Sequence, residues 1–145
     1  MKKISKAVSL LGLLFILISG TIDLDDLFNY ENQNIPSYIT KDNTPVSNQI
    51  VNQITTLGRV LFYDKNLSEN NTIACASCHQ QAFAFSDPLT SSVGLNGGNT
   101  GRHSMRLVNS RFSNEENFFW DERAANLENQ VTQPIQDHIE MGFSG

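Results

Sequence analysis

Cysteine is scarce in this sequence, since Cys75 and Cys78 are the only two among 145 residues. Two cysteines exclude a disulfide-rich scaffold. Basic residues are also few: ten Lys and Arg stand against fifteen Asp and Glu, for a formal net charge of −5, which argues against nucleic acid as a partner. The longest apolar run, residues 7–18, is shorter than the roughly 20 residues of a transmembrane helix. Regular alternation of apolar and polar residues, typical of half-buried strands, is lacking as well.

The N-terminus has the pattern of a secretory signal. Three lysines within the first six residues precede the apolar run 7–18, and small polar residues follow it. A basic start, an apolar middle and a small-residue exit predict a signal over residues 1–20. We therefore expect export to the periplasm, with membrane attachment only if this segment is retained as an anchor. The remaining chain has the size of one small domain, preceded by a flexible lead-in over residues 21–43.

The two cysteines stand in the stretch Cys-Ala-Ser-Cys-His, residues 75–79. A disulfide between them would close a very small loop and contribute little stability. A thioredoxin-like site would require the pair to follow a buried strand. A zinc site would require a fourth ligand, and His103 and His138 are the only other histidines.

A covalently attached haem uses all three residues of this stretch at once. Thiols at positions i and i+3 reach the two vinyl groups of one porphyrin, and the next imidazole ligates the iron. We therefore interpret Cys75 and Cys78 as the attachment points of one haem c. His79 is the expected proximal axial ligand of its iron.

The first predicted helix begins near residue 45. Thr44 and Pro45 have the chemistry of an N-cap and a first helical residue. Apolar residues then recur at helical spacing, at Val46, Ile50, Ile54, Leu57 and Leu61.

A second helix is predicted from Trp120 to about Thr132, where Pro134 is expected to end it. Between the two helices, the Gly-, Asn- and Ser-rich residues 90–104 are expected to form a long loop. The predicted fold class is therefore all-α, with one domain over residues 44–145.

Six motifs, in unbroken order over residues 57–145, resemble those of the bacterial di-haem cytochrome c peroxidases and their methylamine-utilisation relatives. The motifs are LGRVLFYDKNLS (57–68), CASCH (75–79), FSD (85–87), GR…LVN (101–109), FWDER (119–123) and LENQVTQPIQDHIEMG (127–142). The resemblance implies a cytochrome c-like haem domain with long irregular loops. It also implies a peroxidase that reduces hydrogen peroxide to water with electrons from a small cytochrome c or cupredoxin.

The resemblance also bears on the rest of the protein. In that family a C-terminal domain holds a second haem that collects electrons, whereas this sequence has one Cys-x-x-Cys-His and stops at Gly145. We therefore expect the N-terminal, peroxidatic part of a longer protein, poorly active by itself. A homodimer is left open.

Three further residues take their roles from the resemblance. Gln130 and Glu140 match the family's distal-pocket pair, in which a carboxylate moves a proton of the bound peroxide and an amide orients the peroxide and stabilises developing charge. Without the resemblance, a glutamate near a proline-terminated helix would be taken as merely exposed. Trp120 matches a tryptophan between the two haems, where an indole assists electron transfer; an ordinary core or interface anchor is the alternative.

Two positions depart from the family pattern. Leu95 aligns with a histidine that caps the resting peroxidatic haem in many members, and leucine cannot ligate iron. We expect this haem to react with peroxide without prior reduction. His103 aligns with an asparagine that helps to bind calcium, which prefers oxygen ligands. Because a backbone carbonyl can also serve as a calcium ligand, the sequence leaves calcium binding open. His103 itself is expected at the surface or at an interface.

Two alternatives remain at this stage. In a mono-haem electron-transfer cytochrome, Met105 or Met141 would be the second axial ligand, and the protein would not be an enzyme. A relative of the methylamine-utilisation type would oxidise a protein side chain, and the ligand that distinguishes it would lie in the C-terminal domain.

Overall fold

The computed structural model describes residues 29–144, so the predicted signal over residues 1–20 lies outside the described part. Three α-helices occur within it: α1 (Asn52–Tyr63), α2 (Cys75–Cys78) and α3 (Leu127–Gln136). Single-turn 3₁₀ helices lie at Lys65–Leu67, Gln81–Phe83, Leu95–Gly97 and Ser110–Phe112. The described residues contain isolated β-bridges and no strand. The all-α fold class is confirmed, and long irregular segments connect the helices.

Helix α1 begins at Asn52, so the prediction of a helix from Pro45 is wrong. Pro45 opens a turn instead, closed by the Asn48 amide on the Pro45 carbonyl at 3.0 Å. The cap comes from a distant part of the chain: the Glu31 carboxylate accepts the Asn52 backbone N–H at 2.7 Å. Local sequence could not show that residue 31 lies at the helix N-terminus.

Helix α3 also differs from its prediction at both ends. It begins at Leu127, where the Asn126 side chain accepts the Asn129 N–H at 2.8 Å, and the region before it has left-handed backbone at Phe119 and Glu122. Pro134 lies inside the helix, which continues to Gln136. A proline near the C-terminus removes one main-chain hydrogen bond, and the Asp137 amide still closes the last turn on Gln133 at 2.9 Å.

The apolar core of the described residues is small. Only Ala74, Leu95, Ala124 and Met141 are buried apolar residues there, and α1 contributes none. Domains of this size are marginally stable even with a full core. The described residues therefore lack a dense apolar centre, and a large apolar group bound among them would add substantially to the core.

The lead-in is joined to the loop that precedes α3. Arg111 donates two hydrogen bonds to the Asp42 carboxylate, at 2.9 and 2.6 Å. The Asn43 amide donates to the Arg111 carbonyl at 2.9 Å, and the Asn43 side chain donates to Ser113 at 2.8 Å. Over residues 29–144, no helix is both long and apolar enough to cross a membrane.

The variant Asp42→Asn is expected to lower the free energy of unfolding by about 0.5–1 kcal/mol at pH 7, the upper part of the range for partly exposed ion pairs. The Arg111 guanidinium holds the pKa of the Asp42 carboxyl well below its usual range. A depressed folded-state pKa gives stability that is present above the unfolded carboxyl value, about 4, and is lost as pH falls below it. Urea titrations of both proteins should therefore converge towards pH 3.

Glu116→Gln is the matched control for this prediction. Its carboxylate pairs with Lys41 at 3.7 Å and is largely exposed, so little change in the urea midpoint is expected. An Asp42→Asn difference that stays constant from pH 7 to pH 3 would contradict the linkage.

Candidate functional site

Helix α2 presents the two cysteines on a single turn. Ala74, which precedes it, is extended and buried, and its N–H is accepted by the Ser77 hydroxyl at 3.1 Å. Cys75 and Cys78 are free thiols and half-buried. Burial raises the pKa of both thiols. The two sulfurs are therefore neutral, unpaired and separated by one helical turn, as attachment to two vinyl groups requires.

His79 follows α2 and has its ring orientation defined by the next loop. Its backbone N–H closes the turn on the Cys75 carbonyl at 2.9 Å. Its Nδ1 lies 3.0 Å from the Phe85 carbonyl oxygen. Because a carbonyl only accepts, Nδ1 carries the proton, and Nε2 keeps its lone pair free for a metal.

The loop from Gln80 to Ser86 brings the Phe85 carbonyl to this ring. The Gln80 and Ser86 backbones form an isolated bridge, and the reversal between them needs consecutive left-handed residues at Ala84 (φ 57°) and Phe85 (φ 56°). Such backbone is rare for residues with side chains and is retained where the surrounding structure requires it. This conformation places the Phe85 carbonyl oxygen next to Nδ1 of His79.

A cavity of about 640 Å³ lies beside His79, within the usual size range of cofactor sites. Its lining includes Cys78, His79, Trp120, Gln130 and Glu140. The fold thus brings together residues that are separated by up to 62 positions along the chain.

Glu140 lies in the turn after α3, where its amide donates to the Asp137 carbonyl at 3.1 Å. Burial raises the pKa of the Glu140 carboxyl; the negative charge of Asp137 adds to this effect and Arg123 opposes it. The Glu140 charge in turn contributes to the raised pKa of Cys78, so the carboxylate is close to the attachment helix. A carboxyl whose pKa is raised holds its proton to higher pH than an exposed glutamate does, which favours a role in proton transfer.

Gln130 lies on the side of α3 that faces the cavity. Leu127 and Pro134 line the same cavity, and residues three and four positions apart share one face of a helix. Gln130 is half-buried. Its amide is therefore presented to the same space as the Glu140 carboxyl.

The turn that carries Glu140 packs closely against the loop at residues 93–98. The Leu95 amide donates to the Ile139 carbonyl at 2.7 Å, and a Cβ at Gly94 would overlap that carbonyl. Leu95 is buried and packs beside Gly142, where an added Cβ would lie 2.6 Å from the leucine side chain. Leu95 does not line the cavity.

Trp120 is 58% exposed, although part of it lines the cavity. Its indole N–H donates to the His103 carbonyl at 2.8 Å. Trp120 therefore does not belong to the apolar core of the described residues.

Both ring nitrogens of His103 have partners. Nδ1 lies 2.7 Å from the Leu89 carbonyl, and Nε2 lies 3.0 Å from the Ser86 hydroxyl. The His103 carbonyl accepts from Trp120, so ring and carbonyl are both engaged within the protein. In the described part of the chain, no group of three or more His, Cys, Asp or Glu side chains could hold a metal ion.

The two methionines of the cytochrome alternative occupy different environments. Met105 lines the cavity, whereas Met141 is buried in the small core and does not line it. Sequence reasoning did not find the Phe85 carbonyl, Ser86 or Ser104, because nothing in the local sequence shows which backbone groups will face His79.

The residues present fit a covalent c-type haem. Two unpaired thiols lie one turn apart, and the adjacent imidazole carries its proton on Nδ1. The cavity beside Cys78 and His79 is large enough for a cofactor, although Cys75 does not line it. The described residues bury few apolar side chains, so a haem bound in the cavity would supply apolar surface that the protein core lacks. Fold and site together define a c-type haem domain.

Comparison with known proteins agrees with this class. The sequence profile of the family described as di-haem cytochrome c peroxidase matches residues 52–145. The chain is 34% identical over 100 residues to the methylamine utilization protein MauG of Methylorubrum extorquens, covering 69% of this chain and 28% of that protein. It is 35% identical over 85 residues to the cytochrome c551 peroxidase of Pseudomonas aeruginosa, covering 59% and 24%.

Solved structures show the same relationship. A MauG-like protein associated with microbial copper homeostasis superposes with a TM-score of 0.70 at 39% identity, covering 78% of this chain and 35% of that chain. The diheme peroxidase BthA from Burkholderia thailandensis gives a TM-score of 0.61 at 25% identity, covering 68% and 29%.

The chain belongs to the di-haem cytochrome c peroxidase family. Membership implies a haem c cofactor. The chain spans 28% of the length of the first of these curated relatives.

Proposed function

We propose that this chain is the peroxidatic haem domain of a periplasmic peroxidase that reduces hydrogen peroxide to water. A small cytochrome c or a cupredoxin supplies the electrons, and a second haem domain outside this chain receives them. The domain itself is cytochrome c-like. The observation that carries the proposal is that Glu140 and Gln130 line the same cavity as Cys78 and His79.

The haem, held through Cys75, Cys78 and His79, supplies the iron that binds peroxide and transfers electrons to it. The chain's own residues manage the protons. Reduction consumes one peroxide, two electrons and two protons and yields two waters. Glu140 takes the proton from the inner peroxide oxygen and returns it to the outer oxygen, so that the second oxygen leaves as water.

Gln130 supports this transfer from α3. Its amide donates a hydrogen bond to the peroxide and stabilises the negative charge that develops as the O–O bond breaks. Because the helix fixes its backbone, the donor is in place before the reaction. His79 keeps one orientation, since the Phe85 carbonyl holds its Nδ1–H.

The sequence departure at Leu95 supports a site that needs no activation. A buried leucine in the loop beside Glu140 offers no nitrogen to the haem. A haem held by His79 would therefore find no nitrogen ligand in this loop and would accept peroxide without prior reduction. Trp120, exposed and adjacent to the cavity, serves electron entry from the second haem domain.

A mono-haem electron-transfer cytochrome is the second candidate, because Met105 lines the cavity. In that protein the methionine would occupy the iron position that peroxide needs. The two functions therefore differ in a single property, access of small ligands to the iron.

Peroxide turnover separates the two functions. The full-length, haem-loaded protein, which contains this chain and the second haem domain, is mixed without prior reduction with hydrogen peroxide and a reduced small c-type cytochrome. We expect two cytochromes to be oxidised for each peroxide consumed, because the reaction takes two electrons. Consumption no faster than with an equal concentration of free haem would contradict the proposal.

A further inference from the structure

His103 lies at the centre of a hydrogen-bonded network that the proposed chemistry does not use. Its imidazole spans two groups of the preceding loop, the Leu89 carbonyl at 2.7 Å and the Ser86 hydroxyl at 3.0 Å. Its own carbonyl accepts the indole N–H of Trp120 at 2.8 Å. One residue therefore joins the loop after the attachment helix to the exposed indole.

The same network reaches the haem ligand through the next residue. The His103 carbonyl accepts the indole N–H of Trp120. The hydroxyl of the next residue, Ser104, lies 3.1 Å from Nδ1 and 3.5 Å from Nε2 of His79. A hydroxyl this close to both nitrogens lies against the face of the imidazole, since a partner in line with Nδ1–H would be much farther from Nε2.

Ser86 bonds to the next peptide along the chain, which joins Ser104 to Met105. Its hydroxyl donates to the Ser104 carbonyl at 2.6 Å and contacts His103 Nε2 at 3.0 Å. Ser86 is 3% exposed, so neither bond competes with bulk water. Ser86 directly follows Phe85, whose carbonyl orients His79.

We propose that His103 is a positioning residue, which fixes Trp120 relative to His79. Its Nδ1–H donates to the Leu89 carbonyl, its Nε2 contacts Ser86, and its carbonyl accepts the indole N–H. The inference rests on the proposed function in taking Trp120 as the site of electron entry. Electron transfer depends on a fixed separation and orientation of the indole and the haem. If residue 103 were mobile, neither the separation nor the orientation of the indole would be fixed.

Trp120 is the only tryptophan of the sequence, so its fluorescence reports on this residue alone. In the haem-loaded protein, time-resolved anisotropy measures indole motion, and the lifetime measures energy transfer to the haem. His103→Phe keeps a ring but loses both side-chain bonds, and we expect a larger fast component of depolarisation and a broader range of lifetimes. His103→Asn keeps a donor near the position of Nδ1 and should be intermediate.

Ser86→Ala tests the coupling itself, because Ser86 does not bond to Trp120. It should change the Trp120 signals in the same direction as His103→Phe, and the double variant should add little to either single change. The control is His138→Phe, since His138 is exposed and distant in sequence from the network; wild-type fluorescence is expected. In turnover, His103→Phe should lower kcat and leave KM for peroxide unchanged.

Unchanged Trp120 anisotropy and lifetimes in both His103→Phe and Ser86→Ala would overturn the inference. A change in His103→Phe with none in Ser86→Ala would overturn the coupling, because the indole would then depend on residue 103 alone. The fluorescence experiment contains no peroxide. A wild-type protein that fails to turn over peroxide therefore refutes the proposed function without deciding this result.

Discussion

Glu140→Gln is expected to lower kcat/KM for hydrogen peroxide by about 10²–10⁴-fold, the usual contribution of a positioned acid–base group. The amide has nearly the shape of the carboxylate, so the cavity should keep its form, but it cannot accept and return a proton. Initial rates with a reduced cytochrome donor measure the effect. Spectra of the resting haem should be nearly unchanged, which separates loss of proton transfer from loss of the site.

The pH dependence of kcat/KM tests the role of Glu140 in a second way. Burial raises the pKa of the Glu140 carboxyl, and proton abstraction requires the ionised form. The acid limb of kcat/KM should therefore lie above the ordinary glutamate value, about 4.3, with activity falling as pH decreases through it. Glu140→Gln should lack this limb.

Glu128→Gln is the matched control for Glu140. Glu128 lies in the first turn of α3 and is exposed. Its carboxylate accepts a hydrogen bond from the Asn48 side-chain amide at 2.8 Å. We expect wild-type kcat/KM and an unchanged acid limb. If Glu140→Gln behaves like this control, another group moves the proton and the role assigned to Glu140 is wrong.

Replacing both Cys75 and Cys78 with alanine is expected to abolish covalent haem attachment. Acidified organic solvent should then extract all of the haem, whereas the wild-type haem stays with the protein. Each single replacement leaves one vinyl group unreacted, which the pyridine haemochrome spectrum detects as a shift of its α band. Both thiols are needed because each forms one thioether bond.

The fold should respond to the same replacements. The described residues bury only four apolar side chains, so loss of the cofactor leaves the cavity beside His79 open to water. We expect a lower midpoint of thermal unfolding and stronger binding of a dye that reports exposed apolar surface. Ser110→Ala, which removes a hydroxyl bonded to the Leu107 carbonyl, is the control. Retention of covalent haem in the double alanine variant would refute the attachment assigned to this stretch.

The sequence predicted the all-α class and the members of the site better than it predicted the helix ends. Cys78, His79, Trp120, Gln130 and Glu140 line one cavity, although only Cys78 and His79 carry a local signal of their chemistry. The other three depended on the family resemblance, because a glutamine, a glutamate and a tryptophan have many ordinary positions.

The errors at the two helix starts have different physical origins. Thr44 and Pro45 have the composition of a helix start, but the Asn52 amide finds its acceptor in Glu31, far away in sequence. The chain before α3 instead adopts left-handed backbone at Phe119 and Glu122, which apolar periodicity does not reveal. A tertiary contact thus set the start of α1, where propensity is only a weak guide.

The network around His103 was outside the reach of sequence reasoning for a similar reason. A histidine in a Gly- and Asn-rich loop indicates a surface residue, whereas His103 is half-buried, between exposed Arg102 and half-buried Ser104. Its two ring contacts join residues 14 and 17 positions away. No periodicity or motif in the sequence specifies such pairs.

In the proposed function, a haem iron held by His79 would be open to small ligands such as peroxide and cyanide. The ferric EPR spectrum of the exported, haem-loaded protein, recorded with and without cyanide, tests it most directly. We expect a high-spin signal that converts completely to a low-spin signal when cyanide is added. A low-spin signal of the His/Met type that persists in cyanide would identify an electron-transfer cytochrome, with Met105 as the first ligand to test, and would contradict the roles assigned to Gln130 and Glu140.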